Sequence, residues 1–305
     1  MALAATRHDT GVDLYPSRLR GMPRLMERKD PLVYGGPGDG PLDRDQLREY
    51  ADNGFLVFDN LFSASETEHF RRELVRLDSR DDLKQRPEVI TEPDSHEIRS
   101  VFGIHRHQSP LAWLCRDRRI VDIARQLLGS DVYIHQSRVN YKPGFNGREF
   151  YWHSDFETWH TEDGMPRMRA VSCSISLTDN DPNNGPLMLI PGSHKQFLAC
   201  IGETPEDNYR QSLRSQEIGV PDNEHLARVA REGGIRTNTG PAGSVLFFEC
   251  NVMHGSNSNI TPFPRSNVFM VFNSVENTVV EPFSAPRPRP DWLGERHDFS
   301  PIRPQ

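Results

Sequence analysis

The sequence predicts a mainly β fold with flanking α-helices: an antiparallel barrel or jelly roll braced by helical segments. Three observations carry this expectation. Apolar residues at helical spacing are concentrated before residue 130. From Val132 onward the hydrophobic period becomes two. Short strands then recur through the second half of the chain, which sets a sheet-built body behind a helical one.

Taken in order, residues 1–41 are rich in Pro, Gly, Arg and Asp and predict an extended, irregular arm. Regular structure begins near Asp43, where Leu47, Tyr50 and Ala51 sit at helical spacing and Gly54 follows as a stop. Phe55–Phe58 reads as a buried strand. Ser63 and Glu66 form a capping-box pattern, opening a helix whose apolar face is Phe70, Leu74 and Leu77. Another helix covers roughly 118–128, with Ile120, Ile123, Ala124 and Leu127 on one side and Gly129 after it. In the strand Val132–Lys142, Gln136, Arg138, Asn140 and Lys142 share one face, and Tyr133, His135, Ser137, Val139 and Tyr141 the other. Val171, Cys173, Ile175 and Leu177 alternate with Ser172, Ser174 and Ser176, and apolar strands follow at 244–248 and 267–273. Residues 197–240 are highly charged, weakly periodic and too long for an ordinary loop, so they predict a helical insertion, a lid or both. The tail from Pro282 reads as an extended surface segment.

The 305 residues suit one large domain or two small ones, and the elements above are assigned to a single domain over 1–305. The formal charge of −7 argues against nucleic acid as the main partner. No run of roughly 18 apolar residues predicts a membrane span, and the N-terminus lacks the apolar core of a signal peptide, so the default location is cytoplasmic. Cys115, Cys173, Cys200 and Cys250 are scattered without CxxC spacing and read as reduced, mostly buried thiols.

The strands have polar faces, which are either solvated or turned inward to line a ligand cavity. A metal motif favours the second reading. His153-Ser-Asp155 is an H-x-D triplet, and on an extended backbone positions i and i+2 point the same way. With a distant histidine this pair makes the facial triad of non-haem Fe(II), which leaves open positions for co-substrate and O2. The third ligand is His194 or His254. His254 is favoured because it follows the apolar run Val245–Phe248, and a strand end projects a ligand into a barrel. Arg265 lies shortly beyond, placed to hold the far carboxylate of a dicarboxylate such as 2-oxoglutarate by a charge-assisted bidentate contact. Zinc accepts the same ligand types, and spacing does not separate the two metals.

The order H-x-D…H…R, with Asn184-Gly-Pro-Leu187 and Ile190-Pro-Gly-Ser-His-Lys195 between, resembles the phytanoyl-CoA dioxygenase family of Fe(II)/2-oxoglutarate enzymes. Within it, the run from Phe150 to Pro166 is similar to the signature of the ectoine-hydroxylating members, and Tyr15-Pro-Ser-Arg18 and Glu27–Pro31 are similar to their N-terminal arm. The resemblance implies a double-stranded β-helix, with iron held by His153, Asp155 and His254 and the distal carboxylate of 2-oxoglutarate held by Arg265 and Ser256. Asn140 and Ser174 become further co-substrate contacts. Gln136, Thr158, Trp159 and Phe272 become lining of the substrate pocket, and Arg138 and Ser172 fall on inward faces. It also implies O2 as second co-substrate, hydroxylation of ectoine to 5-hydroxyectoine with release of succinate and CO2, a part in osmotic-stress metabolism, and a homodimer. Asp155 sets the chain apart from related halogenases, which carry a small residue there. Glu157 takes no role in this reading, and His160 and His194 read as structural. Two other readings stay open: a related hydroxylase of another small molecule or an acyl-CoA, and a non-catalytic metal-binding barrel.

Overall fold

The computed structural model describes residues 12–80, 82–92, 96–107 and 109–305, so the first part of the arm lies outside the described residues. In chain order the strands are β1 (Arg24–Glu27), β2 (Phe55–Phe58), β3 (Val89–Thr91), β4 (Ile98–Phe102), β5 (Val132–Lys142), β6 (Phe150–His153), β7 (Ala170–Ser176), β8 (Leu187–Leu189), β9 (Gln196–Ala199), β10 (Arg236–Thr237), β11 (Val245–Glu249), β12 (His254–Ser256) and β13 (Arg265–Ser274). The helices are α1 (Arg44–Asn53), α2 (Ala64–Asp78), α3 (Pro110–Leu114), α4 (Arg118–Leu128), α5 (Asp155–Thr158), α6 (Tyr209–Ser212) and α7 (Asn223–Gly233).

Local chemistry places the helix ends. Asp43 and Ser63 each close a capping box at the start of α1 and α2. Gly54 ends α1 at φ +84°, and a Cβ there would lie 2.3 Å from Val252 and 2.6 Å from His194, so both backbone and packing require glycine.

Two antiparallel sheets form the body. A seven-stranded sheet runs β2–β11–β7–β13–β5–β4–β3, and a four-stranded sheet runs β10–β8–β12–β6. Alternation sorts their side chains. Cys173, Ile175, Val245, Phe247, Val268 and Met270 pack outward against the helices with Leu47, Leu111, Ile120 and Leu127. Leu246, Phe248 and Phe269 face the other way and meet Leu187 and Leu189 of the small sheet. Ser172, Ser174 and Ser176 share that inner side and are all buried, so the polar face is turned inward rather than to solvent.

In β5 the alternation is interrupted. Val271 pairs with Gln136 and Phe272 with Ile134, which leaves His135 as an extra residue, a β-bulge. Val132 and Ile134 join the outer core before the bulge, and Val139 joins it afterwards. The simple even–odd split expected for this strand therefore holds only from Gln136 onward.

Two segments are more integrated than their composition suggests. Within the described part of the arm, β1 pairs with β9, and Tyr15 and Arg18 are buried. The tail is not a plain surface segment: Arg289 and Leu293 are buried, and the Leu293 carbonyl accepts a hydrogen bond from Gln136 (2.7 Å). Residues 197–240 carry the end of β9, then α6, α7 and β10. The four cysteines are free and buried. Among the described residues, no helix is long and apolar enough to cross a membrane.

Candidate active site

β6 and β12 pair with His153 directly opposite His254, and Asp155 begins the helical turn that follows β6. This register brings the three side chains together, with their ligand atoms all within 4.8 Å of one another. Asp155 Oδ1 lies 3.6 Å from His153 Nε2 and 3.8 Å from His254 Nε2.

Each imidazole is oriented by backbone. His153 Nδ1–H donates to the Tyr151 carbonyl (2.8 Å), and His254 Nδ1–H to the Val252 carbonyl (2.9 Å). Carbonyls only accept, so Nδ1 carries a proton in both rings and Nε2 is the nitrogen turned toward Asp155, the one a metal would take. Burial, and then the neighbouring His153, push His254 down to about 4, so it is the neutral form a metal requires. Burial alone would raise the Asp155 pKa, but His254 and His153 outweigh it and hold the group as a carboxylate. Ser172 Oγ donates to Asp155 Oδ2 (3.3 Å), leaving Oδ1 for an ion. Two imidazole nitrogens and one carboxylate oxygen on one side of a cavity fit a facial-triad metal such as Fe(II). His194, the other candidate, is buried elsewhere, with Nε2 3.2 Å from the Ala51 carbonyl.

The triad lines a cavity that also holds a basic end. Arg265 is buried, its Nε has no partner among the described residues, and burial pulls it down to about 10. Lys142 stands opposite it across β5 and β13 and donates to Ser256 Oγ (2.9 Å) and to the Asn257 carbonyl. With the Ser256 oxygen accepting from Lys142, the Ser256 hydroxyl proton is left for another partner. A buried guanidinium, a buried amine and a free hydroxyl are a receptor for a carboxylate.

Gln136, Arg138, Asn140, Thr158 and Trp159 also line the cavity. Gln136 Oε1 accepts from Arg138, and Asn140 Oδ1 accepts from Ser100 (2.9 Å). The Arg138 guanidinium lies 4.8 Å from the centre of the Phe269 ring. Trp159 is packed edge-on to His135.

Two assigned residues fall outside the lining. Phe272 is packed into the outer core between sheet and helices, because it shares the outward face of β13 with Val268 and Met270. Phe269, on the opposite face, is the β13 ring at the cavity. Ser174 lies on the inner face but is engaged by Asn267 Nδ2 (3.2 Å) and does not line the cavity. Among residues the sequence reading gave no role, Lys142 and Arg289 line it as well. Lys142 was visible on the inward face of β5, whereas Arg289 sits in the irregular tail, where no periodicity points to it. Glu157 and His160 are structural: Glu157 pairs with Arg18, and His160 stacks on Phe283 and bonds Asp13.

Comparison with known proteins agrees with this geometry. The ectoine dioxygenase of Bordetella bronchiseptica is 54% identical over 293 residues, covering 96% of this chain and 95% of that protein. The ectoine dioxygenase of Sphingopyxis alaskensis is 51% identical over 292 residues, covering 95% of each. A crystal structure of EctD from S. alaskensis with 2-oxoglutarate and 5-hydroxyectoine superposes with a TM-score of 0.87 at 48% identity, covering 96% of this chain and 98% of that one. A second, with bound Fe, gives 0.86 at 47% identity and the same coverage. The model of the phytanoyl-CoA dioxygenase family matches residues 50–267, a span that takes in the H-x-D pair, His254 and Arg265. With its fold, its triad and that match in register, the chain belongs to the phytanoyl-CoA dioxygenase family.

Proposed function

We propose that this protein is an Fe(II)- and 2-oxoglutarate-dependent dioxygenase that hydroxylates ectoine to 5-hydroxyectoine, with release of succinate and CO2. The observation that carries the proposal is the placing in one cavity of the His153–Asp155–His254 triad and of Arg265, a buried cation whose Nε has no partner among the described residues. The substrate follows from the near-full-length similarity to ectoine dioxygenases and to a structure holding 2-oxoglutarate and 5-hydroxyectoine.

His153 Nε2, Asp155 Oδ1 and His254 Nε2 hold the iron from one side. Arg265, with Lys142 and Ser256, holds the far carboxylate of 2-oxoglutarate, and Asn140 contacts the same co-substrate. When bound, iron and 2-oxoglutarate together supply an oxidant made from O2. The residues around them position the substrate. Ectoine combines a carboxylate with a delocalised amidinium. The Phe269 ring already carries Arg138 on its face, and Trp159, in the turn beside Thr158, offers an aromatic surface for the amidinium. Thr158 and Gln136 add polar contacts, and Arg138 adds positive charge for the carboxylate. The whole chain acts as one catalytic unit, with part of 197–240 covering the cavity through Leu213 and Gln216. A cytoplasmic homodimer serving osmotic-stress metabolism completes the reading, and light scattering on purified protein tests the dimer.

The deciding experiment is a coupled assay. Protein with Fe(II), 2-oxoglutarate and O2 should form 5-hydroxyectoine and succinate in equal amounts. Turnover of another small molecule with no coupling to ectoine would overturn the substrate.

A further inference from the structure

A buried ion network outside the triad links the N-terminal arm to the substrate side of the cavity. Arg18 is its centre. Its Nε and Nη2 donate to Glu157 Oε1 (3.0 Å) and Oε2 (2.9 Å), and its Nη1 donates to Glu162 Oε1 (2.5 Å). Side-chain exposure is 0% for Arg18, 1% for Glu157 and 2% for Glu162. Burial alone would weaken the Arg18 charge, but the two carboxylates outweigh it and keep the guanidinium protonated. Burying three charges for stability alone is a poor arrangement, because desolvation offsets most of the attraction.

The network has two other attachments. On one side, Glu157 and Glu162 flank Thr158 and Trp159 in the same helical turn, and Arg18 Nη2 reaches Thr158 Oγ1 (3.5 Å). On the other, the network holds the segment between β9 and α7. Arg18 Nη1 donates to Thr204 Oγ1 (3.0 Å), and Asn208 Nδ2 donates to Glu162 Oε1 (2.8 Å). The backbone of Gly219, at the far end of the segment, lies so close that a Cβ there would be 2.4 Å from Glu157 Oε2 and 2.6 Å from Arg18 Nη2. Between those anchor points, Leu213 and Gln216 form part of the cavity wall. Arg18 also adopts φ +56°, a left-handed backbone that a non-glycine residue holds only where its surroundings over-determine it. Backbone bonding supplies that constraint, since Arg18 N donates to the Cys200 carbonyl (2.8 Å) and Cys200 N donates to Ser17 Oγ (2.9 Å).

We propose that Arg18 is a positioning residue for the substrate: it clamps the 204–219 segment onto the turn that carries Thr158 and Trp159, and so sets the fraction of molecules whose substrate side is closed. The inference rests on the reading of the cavity as an ectoine site. Loosening the clamp lowers the closed fraction, and the apparent affinity for substrate falls in proportion. The bonds to Thr204 and Asn208 touch none of the iron ligands: His153 and His254 lie on β6 and β12, and Asp155 opens α5 ahead of Glu157.

The test is the double variant Thr204→Val/Asn208→Leu, which cuts both side-chain bonds to the segment without stranding a charge. It should raise the KM for ectoine by roughly tenfold or more, the worth of at least one lost hydrogen bond to a charged group, with little change in kcat. The KM for 2-oxoglutarate and the visible Fe(II)·2-oxoglutarate band, titrated without O2, should stay as in the wild type. Trypsin should also cut faster at Arg210 and Arg214, both exposed on the segment. Arg18→Met should exaggerate these effects and Arg18→Lys partly restore them. If Arg18→Met fails to fold, the double variant decides alone. An unchanged ectoine KM with unchanged trypsin cleavage overturns the proposal, and so does an equal rise in both KM values. If the wild type does not turn over ectoine, the functional reading fails, while trypsin cleavage of the resting protein still decides the clamp.

Discussion

Lys142 and Arg265 stand directly opposite each other on β5 and β13, both buried and both bordering one cavity. Arg265 adds to burial in depressing the Lys142 charge, and an anion held between the two side chains relieves that conflict. Arg265→Ala should therefore raise the 2-oxoglutarate requirement by roughly 10- to 100-fold, the usual worth of a hydrogen bond to a charged group or a little more. The ectoine requirement should move far less. Steady-state kinetics with each substrate varied in turn checks this, and a change confined to the ectoine KM contradicts the assignment.

The same pair has a pH signature. Burial, with Arg265 and Arg99 adding to it and Glu92 and Glu149 opposing, pushes Lys142 from its usual 10.5 down to about 6. Between those values the unfolded chain binds a proton that the folded chain does not, so stability rises with pH across the window. Lys142→Met removes the difference. Its melting temperature should climb less steeply than the wild type's between pH 6 and 9, measured without ligands. Parallel curves would contradict the depressed lysine.

Replacing His153, Asp155 or His254 by alanine should abolish iron retention and lower turnover by more than roughly 100-fold, since even the partners of metal ligands are worth 10–100-fold. Circular dichroism should stay native. Metal analysis and the Fe(II)·2-oxoglutarate band report the loss directly, and a fully active Asp155→Ala protein would refute the ligand set.

Phe269 and Phe272 separate packing from recognition. Phe272→Ala should cost about 3–5 kcal/mol of stability, the usual range for an emptied aromatic core site, with near-normal ectoine KM in the folded protein. Phe269→Ala frees Arg138 from its ring and should raise the ectoine KM instead. Thermal melts paired with kinetics tell them apart, and the reverse pattern would return Phe272 to the pocket.

Most of the fold was legible because it is written in period and punctuation. Asp43 and Gly54 bracket α1, Ser63 opens α2, and the serine–apolar alternation of β7 is an inward polar face set against a core face. The H-x-D spacing and the strand-end position of His254 are local signals too, and the cross-strand register joins them. What escaped depends on tertiary pairing. The His135 bulge has no mark of its own in the sequence, since an extra residue is defined only against its partner strand. Phe272 was misplaced because its face is set by the regular β13 alternation, and aromatic identity alone does not say which side of a sheet a ring takes. Arg18 and Arg289 lie in segments with no periodicity, where composition suggested surface and long-range ion pairs produced burial.

Each iron-facing imidazole is held by the carbonyl two residues before it in the chain. The restraint comes from main chain, which every residue type supplies, so substitutions elsewhere in the cavity cannot turn the rings. The substrate side is tied down by side chains such as Arg18, Gln136 and Arg138, each alterable by a single codon. Mutation therefore reaches what the enzyme recognises before it reaches how the enzyme oxidises, an arrangement that lets substrate preference diverge around an unchanged centre.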